Sequence, residues 1–541
     1  MISGFLMLLL ACTGGGELEP TATTEGATKA SRSKARGGRK GPAEPASYSG
    51  ISYDNDRQMA EGPNVLVVVW DTVRADRTSV HGYDKPTTPI TAAWAEEDGR
   101  IYDRAVSPGV WTLPSHASLF TGLPVRAHGV NADSKWLEDD HETFAEAYYK
   151  AGWSTYAFVA NPYMSIKETN LLQGYAVIEH PWSPSWKNKA RAHLERKLLP
   201  DDASSNVSPK WRGPGGPSRN KYVYKEVGPL AADALFRWID QRGPVERDRP
   251  WMAFLNYMEA HLPRVPSQEA RDRVMTPEAQ ARALTVEQST TTFHEYMVGT
   301  REYDALDLEA ISSLYDATLV DLDAAMGDLL ERLEGRGLLD DTIIVLTSDH
   351  GENLGDHGLM LHKYTVHSSL SRVPLVVSWK GHTTAEHIDT PTSVADVMLE
   401  VSRMAGVALP ESILERTAAA SQPNDAAVTE FTAVAKGSLE RLAKNHPGRD
   451  LTHFATTYQA IEQGPLKLIE GSDGSAALFH VVEDPAEATD RKTTDPLPTK
   501  ALHGALEAWN DTTRPALSAT SREEANDPEF KEALEALGYI E

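Results

Sequence analysis

Three polar residues with side chains that bind divalent cations stand just after long apolar runs of the sequence. Asp71 follows the apolar run 65–70, and Asp349 and His350 follow the run 343–346 at a distance of three and four residues. Runs of this kind are typical of buried parallel strands, and ligands gather where such strands end. Two carboxylates and one imidazole would hold a divalent cation with open coordination positions. Alone, each residue is also typical of a turn or a helix cap, so the prediction requires that all three meet.

A threonine precedes a proline at the predicted start of a helix. Thr112 lies two residues before Pro114, and the backbone N–H groups of a helix N-terminus favour an anion. A cation bound beside the hydroxyl would lower its pKa and turn the side chain into a nucleophile. The alternative is that Thr112 is an ordinary N-capping residue.

The elements that would position these residues alternate between helices and buried strands. A third apolar run, residues 251–257, precedes His261. Residues 308–333 repeat apolar side chains every three or four positions, with glycines following as stop signals. Helix followed by buried strand is the repeating unit of a parallel sheet. We therefore predict an α/β fold with a large mixed, mainly parallel sheet flanked by helices.

Beyond the main sheet, the sequence changes in character. Residues 466–482 show two short apolar runs around a glycine-rich turn, which predicts a β-hairpin. We predict a catalytic domain over residues 63–425 and a small C-terminal antiparallel α+β subdomain over residues 426–541. Two insertions, residues 181–222 and 263–300, are expected to be flexible surface loops, with a place on the substrate rim as the alternative.

The composition of the chain excludes several classes of protein. The chain has 541 residues, 40% of them hydrophobic, which excludes a wholly disordered or fibrous chain. The net charge of −25 argues against nucleic-acid binding, because an acidic surface repels phosphate backbones. Only one cysteine, Cys12, is present, so an intrachain disulfide framework and a cysteine-rich zinc site are excluded. No apolar run is long enough for a transmembrane helix.

The position of Cys12 suggests processing of the N-terminus. An apolar run at residues 2–10 precedes it and small residues follow, although no basic residue stands before the run. Residues 1–12 resemble a bacterial lipoprotein signal, in which the cysteine is lipidated. The resemblance implies an exported lipoprotein on the periplasmic or cell-surface side of a bacterial membrane. Residues 13–62 are then a disordered linker. The alternative is a buried or frayed N-terminal cysteine.

Several motifs, taken in order along the chain, resemble the sulfatase family of the alkaline-phosphatase superfamily. The motifs lie at residues 64–74, 112–122, 347–352 and 372–375, with supporting matches at 254–263 and 534–539. The resemblance covers the chain from about residue 63 to its end, and it is weak only in the two insertions. Because several ordered motifs coincide, it is far more specific than any single motif.

The resemblance implies a role for each matching position. The implied ligands of one divalent metal, which could be Mn, Zn, Mg or Ca, are Asp71, Thr112, Asp349 and His350, with Thr112 at the nucleophile position. The residues implied to face the transferred group or its leaving oxygen are His116, His261, His362 and Lys363. The implied neighbouring substrate-binding supports are Arg74 and His128.

The chain departs from the family pattern at the nucleophile and around it. Well-studied sulfatases carry a Cys or Ser there that is oxidised to formylglycine, whereas the β-carbon of Thr112 bears a methyl group. No formylglycine is therefore expected. Thr72 stands where arylsulfatases have a second aspartate, His116 where they have an arginine, and Ala160 where they have a lysine. Fewer carboxylates and one imidazole favour manganese or zinc over calcium, with magnesium also compatible.

These observations predict a metal-dependent hydrolase that cleaves a small sulfate or phosphate ester. The alternative activity is that of a threonine-nucleophile phosphodiesterase or phosphotransferase acting on a lipid or glycan head group. A third alternative, from a different class, is a catalytically inactive surface binding protein. The expected partners are the ester substrate and, through a lipid anchor, a membrane, but no nucleic acid.

Overall fold

A mixed eight-stranded sheet lies at the centre of the computed structural model. The structure describes residues 57–164, 169–198, 227–421, 425–432, 434–513 and 515, with backbone only at 194–196 and 198. Cys12 and the rest of the predicted signal, most of the predicted linker and the motif at 534–539 lie outside these residues. No helix in the described ranges has the length and apolar character that crossing a membrane requires.

Strands and helices alternate along the described chain. The strands are β1 (Asn64–Trp70), β2 (Gly99–Tyr102), β3 (Ala105–Val106), β4 (Ser154–Val159), β5 (Val177–Glu179), β6 (Trp251–Tyr257), β7 (Thr342–Thr347), β8 (Asn353–Leu354), β9 (Met360–Leu361), β10 (Leu375–Trp379), β11 (Glu386–Ile388), β12 (Thr392–Ser393), β13 (Ala426–Phe431), β14 (Tyr458–Gln463), β15 (Leu466–Gly471) and β16 (Ala476–His480).

The helices lie between and after these strands. They are α1 (Pro89–Asp98), α2 (Thr112–Thr121), α3 (Val125–His128), α4 (Phe144–Lys150), α5 (Lys187–Leu198), α6 (Gly228–Gln241), α7 (Pro244–Arg247), α8 (Gln268–Val274), α9 (Pro277–Ala283), α10 (Thr290–Met297), α11 (Ala305–Glu334), α12 (Ser368–Ser371), α13 (Val397–Met404), α14 (Glu411–Ala419), α15 (Lys436–Asn445), α16 (Thr452–Ala455) and α17 (Pro496–Thr512).

The main sheet is mostly parallel, as predicted. Its spatial order is β11-β2-β10-β7-β1-β6-β4-β5. Strand β1 pairs in parallel with both β6 and β7, and β4 pairs in parallel with β6 and β5. Strand β10 is antiparallel to its neighbours β7 and β2. The three apolar runs of the sequence are therefore the adjacent central strands β7, β1 and β6.

Both faces of the sheet are buried, which explains why these runs are apolar at every position. Along β1, Val65, Val67 and Val69 pack into the core on one face. The alternating residues Leu66 and Val68 pack into the core on the other face, because successive side chains of a strand point to opposite sides. Burial of one such branched side chain contributes about 1.5–3 kcal/mol.

The longest helix, α11, confirms the periodic pattern predicted at residues 308–333. Asp304 caps it, accepting a hydrogen bond from the N–H of Asp307, whose own side chain accepts from the N–H of Asp304. Its apolar face packs on the sheet through residues such as Leu319 and Leu322. The chain then turns at Gly337, whose positive φ of 65° suits glycine.

The C-terminal part forms a separate antiparallel sheet, as predicted, in the order β13-β14-β15-β16. The predicted hairpin is β15 and β16. Helix α17 covers this sheet with Leu502, Leu506 and Trp509. Within β14, the buried carboxylate of Glu462 accepts hydrogen bonds from Arg104 and Arg372. These bonds join the small sheet to the segments beside the main sheet.

The insertion at 263–300 is not the flexible loop that we expected. It forms α8, α9 and α10, each preceded by an N-cap whose hydroxyl accepts a backbone N–H: Ser267, Thr276 and Ser289. Alanines on α8 and α9 pack closely against α11. Small residues carry this packing, so the apolar periodicity is too weak to be read from the sequence. In the insertion at 181–222, α5 is helical and residues 199–222 lie outside the described residues.

Candidate active site

Four polar residues meet at the carboxyl edge of the parallel strands. Asp71 follows β1, Asp349 follows β7, Asn161 follows β4, and His261 follows β6. Their strands are adjacent in the order β7-β1-β6-β4, so the four chain segments leave the sheet side by side. The structure thus brings together Asp71, Asp349 and His261, as the sequence predicts, and adds an asparagine.

The predicted metal ligands form one buried group. Ligand atoms of Asp71, Asp349 and His350 all lie within 4.8 Å of one another. The backbone N–H groups of Thr72 and His350 donate to Asp349 Oδ1 at 3.1 and 2.9 Å. Thr72 aims its N–H there from a positive φ of 64°, a conformation that costs a β-branched residue energy and that clusters at functional sites. The other oxygen, Asp349 Oδ2, accepts no hydrogen bond from the described residues.

The hydrogen bonds of His350 leave a lone pair facing this oxygen. Its Nδ1–H donates to the carbonyl of Gly351 at 2.8 Å, so Nε2 is the unprotonated nitrogen of the neutral ring. Nε2 lies 3.3 Å from Asp349 Oδ2, and neither atom has a hydrogen-bond partner among the described residues. Two buried acceptors this close together are expected to repel each other unless a cation or proton lies between them.

Burial is the main cause of the pKa shifts of Asp349 and His350. Burial, together with the negative charge of Asp71, raises the pKa of Asp349 well above its usual value. Burial and the neighbouring His362 lower the pKa of His350 well below its usual value. A bound cation would favour the carboxylate and the neutral imidazole together. Two carboxylates and a neutral imidazole therefore fit a divalent metal ion.

Thr112 lies beside this group as the first residue of α2. The residue before it, Trp111, is the extended N-cap, so Thr112 is not the capping residue that the sequence allowed as an alternative. Asn161 donates from Nδ2 to Asp71 Oδ2 at 2.8 Å and to Thr112 Oγ1 at 3.2 Å. Its own N–H donates to Asn256 Oδ1 at 2.9 Å, which fixes the position of the asparagine. One amide thus holds the threonine hydroxyl next to the predicted metal ligand.

The sequence analysis did not identify Asn161, although a signal for it was present. Asn161 follows the apolar end of β4, just as Asp71 follows β1. The rule that polar residues at the ends of parallel strands point to ligands would have selected it.

We expect Asn161→Ala to lower kcat/KM about 10- to 100-fold, because Thr112 and Asp71 lose the donor that orients them. Steady-state kinetics on the full chain, with circular dichroism to confirm folding, checks this. Asn510→Ala is the matched control, because its amide bonds Gln459 in the C-terminal part, away from the site. Full activity of Asn161→Ala would contradict the assigned orienting role.

An open cleft lies beside the buried group. It has about 880 Å³ of empty space, part of it open to solvent, and its lining includes His261, His362 and Lys363. The ring centre of His362 is 4.5 Å from that of His350 and 5.0 Å from that of His261. We call Asp71, Asp349 and His350 the metal-type group. His362 and His261 therefore extend from this group, at His350, to the cleft.

Two further residues hold His362 in place. Its Nδ1 lies 2.9 Å from Glu352 Oε2, so it carries a proton that the carboxylate accepts. The other oxygen of Glu352 lies 3.1 Å from Nη2 of the buried Arg264. The contact with Glu352 fixes the orientation of the imidazole of His362 beside the cleft.

The next residue, Lys363, points its ammonium toward Trp111, 5.0 Å from the ring centre. Burial, together with the nearby charge of Lys135, lowers the pKa of Lys363 to about 8.

The structure places His116 against the metal-type group but away from the cleft. Its ring packs on Phe120 and Phe254, with ring centres 5.8 and 5.9 Å away. Its Nδ1 lies 2.9 Å from the carbonyl of Thr112 and 3.5 Å from Asp349 Oδ2. Burial lowers the pKa of His116 to about 4. These contacts suit a neutral support for α2 rather than the predicted role facing the leaving oxygen.

Arg74 and His128 are engaged elsewhere. Arg74 forms ion pairs with Asp76 and Asp356 at 2.7 and 2.8 Å. Nε2–H of His128 donates to Ser118 Oγ, and its Nδ1 accepts the N–H of Val130, both at 3.0 Å. Their contacts therefore give no support to the predicted substrate-binding role and assign both side chains to holding the loops around the site.

Comparison with known proteins identifies relatives of this chain. The chain is 25% identical over 364 residues to the choline-sulfatase of Rhizobium meliloti (strain 1021), covering 64% of this chain and 69% of that protein. It is 22% identical over 485 residues to arylsulfatase K of Bos taurus, covering 82% and 80% of the two chains.

Two solved structures share the fold. The phosphonate monoester hydrolase of Agrobacterium radiobacter superposes with a TM-score of 0.59 at 21% identity, covering 83% of this chain and 96% of its own. A protein in complex with its substrate D-glucosamine-2-N,6-O-disulfate superposes with a TM-score of 0.60 at 18% identity, covering 84% and 98%. Residues 63–407 match the model of the sulfatase family, a span that contains Asp71, Thr112, Asp349 and His350. With this match over most of its length, the chain belongs to the sulfatase family.

Proposed function

We propose that this protein is a metal-dependent hydrolase of sulfate or phosphate esters in which Thr112 is the nucleophile. The observation that carries the proposal is the hydroxyl of Thr112, held by Asn161 beside Asp71 of the buried metal-type group. Family membership supports ester hydrolysis. The relatives and fold neighbours named above include sulfatases and a phosphonate monoester hydrolase.

The residues that would hold the metal are Asp71, Asp349 and His350, with the oxygen of Thr112 completing the set. When bound, a divalent cation would lower the pKa of a coordinated hydroxyl and polarise a nonbridging oxygen of the ester. The buried, water-poor position of the three protein ligands would strengthen both effects.

In the first half of the reaction, the proposed nucleophile, proton donor and positive charge come from different residues of the chain. The hydroxyl of Thr112 gives up its proton to water, its oxygen attacks phosphorus or sulfur in line with the leaving alcohol, and the bond to that alcohol breaks. His362 or His261 gives a proton to the departing oxygen, since both line the cleft on the side of His350. Lys363 supplies positive charge for the oxyanion character that develops as the bonds change.

The second half of the reaction distinguishes a threonine from formylglycine. The hydrate of formylglycine carries a second hydroxyl on the same carbon, so it can expel sulfate by collapsing to the aldehyde. Thr112 has a methyl group in that place. Its ester must therefore be opened by water attacking phosphorus or sulfur, and the threonine oxygen leaves with the bonding electrons and takes up a proton. This requirement favours phosphate esters, and an alcohol in place of water would make the protein a phosphotransferase.

The test of the proposal is a substrate panel for the metal-loaded full chain. We expect turnover of a phosphate monoester or diester that exceeds turnover of an aryl sulfate. High sulfatase activity with little phosphoesterase activity would overturn the phosphoryl preference, and no turnover of any ester would overturn the hydrolase proposal. Adding an alcohol and measuring the phosphorylated alcohol distinguishes transfer from hydrolysis. The intact set of Asp71, Thr112, Asp349 and His350 argues against an inactive binding protein.

We expect kcat/KM to fall as the pH rises through about 8, because Lys363, whose pKa is about 8, loses its positive charge there. A pH–rate profile checks this. Lys363→Arg keeps the charge, so its profile should stay level past pH 8. Lys363→Met should be less active at pH 7 and should lack the fall. If kcat/KM of Lys363→Met still fell above pH 8, the fall would belong to the titration of another group.

We also propose that Cys12 anchors the protein, as a lipoprotein, to the outer side of a bacterial membrane. Support comes only from the sequence of residues 1–16. Mass spectrometry of the protein from native membranes tests this, and an unmodified peptide that spans Met1 to Glu17 would contradict it.

A further inference from the structure

The cleft beyond the catalytic residues has two walls from different parts of the chain. One wall is α10, which contributes Thr290, Thr291 and His294. The other is α15 and the residue after it, which contribute Arg441, Asn445 and His446. The first wall belongs to the helical insertion and the second to the C-terminal part. His362 lines the same cleft and its ring centre lies 4.5 Å from that of His350, so a leaving group attached to an ester at Thr112 would extend into this cleft.

The lining of this cleft differs in charge from the rest of the molecule. It carries Lys363, Arg441 and several imidazoles, and none of the described residues that line it is acidic. Lys135 lies close enough for its charge to act on Lys363. The whole chain, in contrast, has a net charge of −25. A local positive field in an acidic protein draws an anion to this place and repels it from most of the remaining surface.

Among the described residues, none forms an ion pair with Arg441. Its side chain also donates no side-chain hydrogen bond to any of them, although 78 acids are present in the chain. It is partly buried, and its positive charge acts on the phenol of Tyr364 in the same cleft. A guanidinium offers a fork of N–H donors that matches the two oxygens of a carboxylate, or of a sulfate or phosphate group.

We propose that the preferred ester has a leaving group with a second anionic group, which Arg441 binds between α10 and α15. The chemical class is an anionic hydroxy compound, such as a uronate or a sugar with a second sulfate or phosphate. A neutral leaving group would leave the cationic lining without a counter-charge. This inference rests on the proposed function, because it takes the reacting ester to be held at Thr112.

Two esters that differ only in one carboxylate test the proposal. The probes are the phosphate or sulfate ester, whichever is turned over, of methyl glucuronide and of methyl glucoside at the same hydroxyl. We expect a kcat/KM at least about tenfold higher for the glucuronide, the effect of one charge-assisted hydrogen-bond pair. Arg441→Gln should remove this preference while it leaves the rate with the glucoside within about twofold. Arg441→Lys should keep part of the preference.

The matched control is Lys444→Gln, which removes one positive charge from the exposed side of the same helix, outside the cleft lining. It should leave both rates unchanged. A third probe, the same ester of methyl glucoside with a second sulfate, distinguishes a carboxylate site from a sulfate site. If Arg441→Gln keeps the wild-type preference, or if wild type prefers neither anionic probe, the subsite is overturned. An equal loss with all probes would also overturn it, since Arg441 would then act on folding or on the reaction itself.

A binding measurement with sugars that cannot react tests the Arg441 subsite independently of ester hydrolysis. Titration calorimetry of the full chain with methyl glucuronide, and with sulfated methyl glucoside, measures the subsite directly. Tighter binding of either anion than of methyl glucoside, lost in Arg441→Gln, would support the subsite even if no ester is hydrolysed. Equal binding of the anionic and neutral sugars would overturn the subsite even if ester hydrolysis is found.

Discussion

Replacing Thr112 with alanine is expected to reduce turnover by at least about 10³-fold, because the change removes the oxygen that we propose as the nucleophile. The loss should appear in kcat with each ester that the wild type hydrolyses. The structure predicts little change in folding. Among the described residues, the side chain of Thr112 accepts one hydrogen bond, from Asn161, and its backbone carbonyl, which faces His116, is kept in the variant.

Thr112→Ser separates the chemistry of the oxygen from the shape of the side chain. Serine keeps the hydroxyl and loses the methyl, so we expect this variant to retain measurable turnover with the same substrates. Trapping with a slow substrate, followed by mass spectrometry, should find the phosphorylated or sulfated residue on the peptide that contains position 112. Wild-type rates for Thr112→Ala, with the metal still bound, would show that the attacking oxygen is not that of Thr112.

Replacing Asp349 with asparagine is expected to abolish metal binding at the buried group and to lower turnover by at least about 10³-fold. The amide has nearly the same shape, but it lacks the negative charge that would hold a divalent cation. Elemental analysis should find one equivalent of metal fewer than in wild type. A second set with ligand-type side chains, His357, His367 and Glu487, makes this comparison necessary, because total metal content alone does not identify the site.

Stability without metal gives a readout that is independent of activity. Burial and the charge of Asp71 raise the pKa of Asp349, so its ionised form destabilises the metal-free fold above that carboxyl's unfolded pKa. We therefore expect metal-free Asp349→Asn to melt no lower than metal-free wild type. Added metal should raise the melting temperature of wild type and not that of the variant, because only a bound ligand stabilises the fold.

Asp396→Asn is the control for these measurements. Its carboxyl is also shielded from water, which raises its pKa to about 6, but it lies at the start of α13 and outside the metal-type group. This variant should keep the metal and the metal-dependent rise in melting temperature. If Asp349→Asn also kept both, the metal would bind elsewhere and the proposed role of the buried group would be wrong.

The sequence was sufficient for the central strands and for the residues at their ends. Strands β1, β6 and β7 are covered on both faces, so their sequences are apolar at every position and can be recognised locally. The sequence of helix α11 shows the helical spacing of apolar residues clearly, because the helix is long and many of its residues are buried. Helices α8 and α9 escaped the same reasoning, because they are short and pack largely through alanines.

The site was predictable in its residue types and less so in its roles. The ordered motifs identified Asp71, Thr112, Asp349 and His350 in one family pattern. They could not show that Asn161 joins Thr112 to Asp71, because that bond requires β4 to lie next to β6. They also implied that His116 faces the transferred group or its leaving oxygen, whereas its ring packs against Phe120 of the same helix and Phe254 of β6.

By itself, then, the sequence determined the family, the parallel sheet and the side chains that we propose for metal binding and nucleophilic attack. These follow from local apolar patterns and from short motifs, which are properties of neighbouring residues. Only the tertiary structure decided which side chains share hydrogen bonds, which face of α2 is buried, and that α10 and α15 enclose one cationic cleft. Those features depend on strand order and helix packing between residues that are far apart in the chain, and no local pattern encodes them.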